Sequence, residues 1–177
     1  MTIVICDSSS LILIAKIETL DLLIDLFEEI LIPKAVFFET VTKGKEYQKM
    51  DAFLIEKRIE EGKIKVVDVE NRGEMQKLMK NFNIHKGEAE AILIYLERRA
   101  ELLGTDDNKT IKVCKILKIK YFTTLSFVYL LYSQNRLSKE KSLFKFNALK
   151  KIGWYKKEVI KYFEEKIEII GENKWEK

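Results

Sequence analysis

The chain opens on Thr2-Ile-Val-Ile-Cys-Asp7-Ser-Ser-Ser-Leu11, and no other stretch constrains its fold as strongly. Four apolar, largely β-branched residues in succession read as a strand buried on both faces. The run stops at a carboxylate, and the serines after it are helix N-cap residues leading into Leu11-Ile-Leu-Ile-Ala15. Asp7 is therefore predicted at the carboxyl end of a central strand, where the chain turns into a helix. In open α/β sheets that edge is where ligands bind. Taken alone, the same position equally suits a plain helix cap.

Further strands are predicted at 29–32, 64–69, 102–105 and 120–123, each separated from the next by helical patterning. Pro33 opens a helix over 34–42 that carries Glu39, and Gly44 is expected to end it. A charged helix follows over 46–61 and a short one over 75–82, with His85-Lys86-Gly87 as a loop. Residues 88–100 form the clearest helix, with Ala89, Ile92, Leu93 and Leu96 on one face. Helices over 108–117 and 125–136 come next, and Ser138 caps the first of two basic C-terminal helices. Strands alternating with helices predict an α/β fold with a parallel sheet covered on both sides. The alternation alone leaves the strand order open.

A chain of 177 residues with 47% apolar content suits one globular domain rather than two. No apolar run approaches the roughly 20 residues needed to span a bilayer, and Asp7 interrupts the N-terminus too early for a cleavable leader. A cytoplasmic protein without a membrane partner is the expectation. Cys6 and Cys114 are too few and too unpatterned for a disulfide framework or zinc site, and read as small apolar residues. The net charge of +4 is uneven: residues 1–137 carry 21 basic and 21 acidic side chains, whereas 138–177 carry 11 and 7. This divides the chain into a core over 1–137 and a basic helical extension over 138–177. In the extension Lys156, Lys157 and Lys161 lie among Trp154, Tyr155, Tyr162 and Trp175. Lysines interleaved with aromatics suit a phosphate backbone whose bases can stack; a solvated amphipathic helix pair with a core-facing Trp explains the pattern as well.

Carboxylates stand at comparable places elsewhere: Glu39 on a helix, Glu88 at a helix start, and Asp106-Asp107 after the fourth strand. Acids at the carboxyl ends of neighbouring parallel strands repel one another unless a cation lies between them. Oxygen ligands without nearby His or Cys select Mg²⁺ or Mn²⁺, ions that activate water for attack on a phosphodiester. Each acid taken singly reads as a cap or a surface charge, Asp106 and Asp107 included. His85 is the only histidine, which excludes a histidine pair and reads as a surface loop residue. No Gly-x-Gly occurs, so a glycine-rich phosphate loop is absent.

Asp7-Ser-Ser-Ser-Leu-Ile12, the Ile32-Pro33 start of the helix bearing Glu39, Gly87-Glu-Ala-Glu-Ala-Ile92 and Thr105-Asp-Asp107 occur in a telling order. In that order the chain resembles the PIN-domain family, metal-dependent nucleases that include VapC-type toxins. It is most similar to a prokaryotic subgroup with a Gly-Glu-Ala-Glu-Ala helix. The resemblance implies a three-layer α/β/α fold with sheet order 3-2-1-4-5, which makes the first and fourth strands neighbours at the topological switch point. It also implies a metal held by Asp7, Glu88 and Asp107 with Asp106 beside it, and Glu39 as ligand or orienter of the attacking water. Glu90 is the alternative third acid. Residues 88 and 90 lie about 200° apart on a helix, so one pocket cannot receive both; Glu88, at the helix start, is preferred.

The resemblance thus implies a Mg²⁺- or Mn²⁺-dependent ribonuclease acting on single-stranded or looped RNA, with the toxin of a toxin–antitoxin pair as the best-known role. An antitoxin protein and a homodimer are the partners it implies, with the apolar helix at 125–132 as a candidate surface for the dimer. The rival reading is a PIN-fold module that binds nucleic acid or protein without cutting. A phosphoacceptor of response-regulator type is a third reading, for which the Lys expected after the last strand is missing.

Overall fold

The computed structural model describes residues 2–173, with side chains described to residue 169; Trp175 lies outside the described residues. The chain divides into two compact units, Met1–Phe122 and Thr123–Lys177.

In the first unit, five strands form one all-parallel sheet: β1 (Ile3–Cys6), β2 (Glu29–Pro33), β3 (Lys65–Val67), β4 (Leu102–Gly104) and β5 (Tyr121–Phe122). Their order is β3-β2-β1-β4-β5, as the family resemblance implied. Val4 pairs with Ile30 on one side and Leu102 on the other, so β1 is central. Val4, Ile5 and Cys6 are all fully buried. Because successive strand residues point to opposite faces, that burial requires cover on both sides of the sheet. Helices α1 (Ser8–Lys16) and α2 (Leu20–Ile24) join β1 to β2. Beyond β2 come α3 (Lys34–Phe37), a π-wound turn over Phe38–Thr42, α4 (Lys43–Glu46) and α5 (Met50–Glu60). Helices α6 (Arg72–Phe82) and α7 (Lys86–Arg98) precede β4, and α8 (Asn108–Ile116) joins β4 to β5.

Three local expectations are corrected. Gly44 does not end a helix but lies inside α4, where an added Cβ would meet the Ala52 Cβ of α5 at 2.6 Å. Gly is there for close packing, not for termination. Helix α7 begins at Lys86, so His85 occupies its cap position instead of a free loop. Its residues Ala89, Ala91, Ile92 and Ile94 are fully buried against β1, β2 and β4, whereas Leu96, expected in the core, is 48% exposed. Cys6 and Cys114 are buried and unpaired, as expected of small apolar residues.

The second unit contains α9 (Thr124–Ser133), α10 (Lys139–Ile152) and α11 (Lys157–Asn173), with α9 packed on both others. Ser138 caps α10, its hydroxyl accepting the Lys141 N–H at 3.2 Å. Leu125, Phe127, Val128, Leu131 and Tyr132 are buried, so the apolar face of α9 is already used within the chain. Trp154 is 97% exposed and does not face a core. Among the described residues, no helix is long and apolar enough to cross a membrane.

Candidate functional site

At the carboxyl edge of the sheet, β1 and β4 diverge into α1 and α8, and the chain at each turn is a carboxylate. Asp7 caps α1: its Oδ1 accepts the Ser10 N–H at 2.9 Å and the Ser9 hydroxyl at 2.7 Å. Asp107 caps α8 in the same way, its Oδ1 accepting the N–H groups of Lys109 and Thr110, each at 2.8 Å. Both acids are therefore helix caps, as the plainer reading held, yet capping uses only one oxygen of each. Asp7 Oδ2 is buried and has no hydrogen-bond partner. Ser9 ties the two turns together, since its hydroxyl oxygen also accepts the Asp106 N–H at 2.8 Å. Gly104, the last residue of β4, permits the approach: an added Cβ would meet Phe122 Cζ at 2.7 Å and Ser10 Oγ at 3.1 Å.

Two more acids come from helices. Glu39 lies in the π-wound turn, a conformation found disproportionately at functional sites. The Ser8 hydroxyl donates to its Oε2 at 2.5 Å. Glu88 folds back to accept the His85 N–H at 2.6 Å through Oε2. Asp7, Ser8, Ser9, Ile12, Glu39, His85, Gly87, Glu88 and Asp107 line one cleft of about 300 Å³. The structure thus brings Asp7, Glu39, Glu88 and Asp107 to one place. Asp106 stands outside the lining, with its backbone bonded to Ser9.

Glu90 is turned away. It is 3% exposed, its Oε2 accepts the Ala35 N–H at 2.9 Å, and it lines a different hollow. Residues 88 and 90 thus face different hollows, and Glu88, at the helix start, is the one in the cleft lining. Glu90 instead caps α3 from a distance and anchors the segment that carries Glu39. Glu88→Gln is expected to reduce any activity of the cleft far more than Glu90→Gln. Glu90→Ala, which strips a buried N–H of its acceptor, should cost about 1–3 kcal/mol of stability. Activity assays and melting curves on the three variants check this, and the opposite ranking of the Gln variants would reassign the third acid.

Electrostatics in the cleft reflect crowding and burial. Burial pushes the Asp7 carboxyl up to about 6; the hydrogen bond from the Ser10 N–H, the nearby Thr105 hydroxyl and the hydrogen bond from the Ser9 hydroxyl oppose this, and the Asp106 charge adds to it. Burial likewise raises Glu88, with the negative charge of Asp107 contributing, against the pull of the His85 N–H. Among the described residues, no three acidic, histidine or cysteine side chains are grouped closely enough to hold a metal ion as they stand. The donor chemistry nevertheless suits a hard cation: four carboxylates, and a buried oxygen on Asp7 that nothing in the protein satisfies.

Sequence reasoning missed Ser8 as the Glu39 partner, Ser9 as the bridge, and His85 as a residue of the cleft wall. Only His85 carried a signal, its place three residues before Glu88.

A five-stranded parallel sheet with an acidic cleft between its first and fourth strands defines an α/β protein with its site at the topological switch point. The chain belongs to the PIN-domain family: the family model DUF3368, described as PIN domain, matches residues 3–168. PIN domains are generally nucleases that use divalent metals. No curated protein matches the chain. Among solved structures it is similar to PAE2754 from Pyrobaculum aerophilum, at 15% identity and a TM-score of 0.54. That match covers 75% of this chain and 98% of the other, and it shows the shared fold.

Proposed function

We propose that this protein is a Mg²⁺- or Mn²⁺-dependent endoribonuclease of single-stranded or looped RNA. The observation that carries the reading is the convergence of Asp7, Glu39, Glu88 and Asp107 on one cleft at the sheet's switch point, with Asp7 Oδ2 buried and unsatisfied. Asp7, Glu88 and Asp107 are the residues to hold the ion, with Asp106 behind them adding negative charge. A bound divalent ion would lower the pKa of water and stabilise charge developing on the phosphodiester. Glu39, held by the Ser8 hydroxyl, would orient the attacking water. Ser9 and Ser10 hold the turn after β1 against the β4 turn and keep Asp7 in register. Lys156, Lys157 and Lys161 are exposed in the second unit, and Lys157 and Lys161 line a hollow of about 530 Å³ with Tyr155. They form a second surface for RNA phosphates. A toxin role with an antitoxin partner, in the cytoplasm and as a homodimer, is the biological setting this reading favours.

The test is incubation of purified protein with mixed RNA in Mn²⁺ or in EDTA. Cleavage in Mn²⁺ alone supports the reading; no cleavage under either condition, with RNA still bound, transfers support to a non-catalytic PIN-fold module. One observation favours that second reading: the cleft acids are not grouped tightly enough to hold an ion as they stand.

A further inference from the structure

The carboxyl edge of the sheet continues past the acidic cleft and changes sign. Lys34 follows the last residue of β2, and Asp68 follows the last residue of β3. Arg72 opens α6 and Lys86 opens α7. With Val69, Met75 and Glu90, these four residues line a hollow of about 160 Å³. Its three cations outnumber its two acids, whereas among the described residues the acidic cleft has four carboxylates and no Lys or Arg in its lining. Lys86 marks the junction, since His85 and Gly87 on either side of it line the acidic cleft.

We propose that Lys34, Arg72 and Lys86 bind a backbone phosphate of the same single-stranded RNA whose scissile bond enters the acidic cleft. The proposal rests on the nuclease reading and assigns where that cleft's substrate is held. A polyanion is repelled by four carboxylates, so its affinity has to come from cations beside them. The hollow at β2 and β3 lies two strand spacings from the β1–β4 turn, roughly 10 Å, a reach one strand of RNA covers. The cations are accessible: their side chains are 63% (Lys34), 77% (Arg72) and 61% (Lys86) exposed. Two of their ion pairs are loose, Arg72 to Asp68 at 3.7 Å and Lys86 to Glu90 at 3.5 Å. The Arg72–Asp68 pair is exposed on both sides and contributes little to folding, so exchanging its carboxylate for a phosphate costs little; the Glu90 end of the other pair is buried and is also held by the Ala35 N–H. Arg72 supplies the forked geometry that phosphate accepts, and the lysines supply point charge.

The experiment measures binding of a short fluorescent oligouridylate to the full chain in EDTA, as a function of salt, by anisotropy. The triple variant Lys34→Gln, Arg72→Gln, Lys86→Gln should bind severalfold more weakly. Its slope of log affinity against log salt should flatten by about 0.7 for each phosphate released. The charge-keeping triple Lys34→Arg, Arg72→Lys, Lys86→Arg should keep the wild-type slope. Melting curves establish folding; where the Gln triple does not fold, Arg72→Gln alone must still flatten the slope. An unchanged slope in the folded Gln triple, or in Arg72→Gln, overturns the subsite and leaves the nuclease reading standing. Wild type that neither binds this RNA in EDTA nor cleaves it in Mn²⁺ overturns both.

Discussion

Asp7→Asn is expected to fold and to cleave RNA more than about 100-fold more slowly than wild type. Even residues that merely support a metal ligand cost 10–100-fold when changed, and Asp7 is proposed as a ligand. Folding should survive because Asn retains the Oδ1 acceptor that takes the Ser10 N–H, and Asn and Asp are comparable N-caps. What disappears is the negative charge at a buried position where Oδ2 has no protein partner. Cleavage rates in Mn²⁺ beside far-ultraviolet dichroism decide it. A folded Asp7→Asn protein with wild-type activity would remove Asp7 from the site.

The second large effect is on stability, and it needs no substrate. The Asp7 carboxyl titrates near 6 in the folded chain against an ordinary value of 3.8, because burial disfavours its charge. With the folded value above the unfolded one, the native state binds the extra proton between those limits. The stability penalty is therefore absent below about pH 4, grows as pH rises, and is complete above about pH 6. At neutral pH it amounts to roughly 3 kcal/mol. Asp7→Asn should consequently gain melting temperature relative to wild type at pH 7.5, and the gap should narrow as pH falls toward 4. A divalent ion acts on the same charge in wild type and binds only the folded chain. At about 100 times its dissociation constant, Mn²⁺ should add roughly 2.7 kcal/mol, or about 5–10 °C. The increment should be smaller in Asp7→Asn. Were wild type indifferent to millimolar Mn²⁺ and the variant less stable at every pH, Asp7 would be a helix cap and nothing more.

The features legible in the sequence were those set by neighbouring residues. Ile3-Val-Ile-Cys6 announces a doubly buried strand because four apolar residues in a row cannot alternate between water and core. The strand-end positions of Asp7 and Asp107 followed from where such runs stop. Sheet order came from the family resemblance, since helix–strand alternation is silent on which strands pair. What stayed hidden depends on residues far apart in the chain. Glu90 looked like a rival ligand until its contact with the Ala35 N–H, 55 positions away, gave it other work. The Ser8–Glu39 bond spans 31 positions, and no local pattern encodes it. Gly44 was misread because a stop signal and a close-packing glycine look alike until Ala52 is seen against it.

The π-wound turn at Phe38–Thr42 carries a consequence for how this segment can change. Upstream, Glu90 pins the chain at Ala35; downstream, Gly44 is wedged on Ala52. A π turn accommodates one residue more than an α turn of the same rise, so the extra residue is trapped between two fixed points. Side-chain replacements can leave that length untouched. A single-residue deletion cannot: it would rewind the turn as ordinary α-helix, keeping the flanking segments in phase while turning residues inside it, Glu39 among them, by as much as about 100°. Insertions and deletions here, rather than substitutions, are the changes that would redirect Glu39 from the cleft.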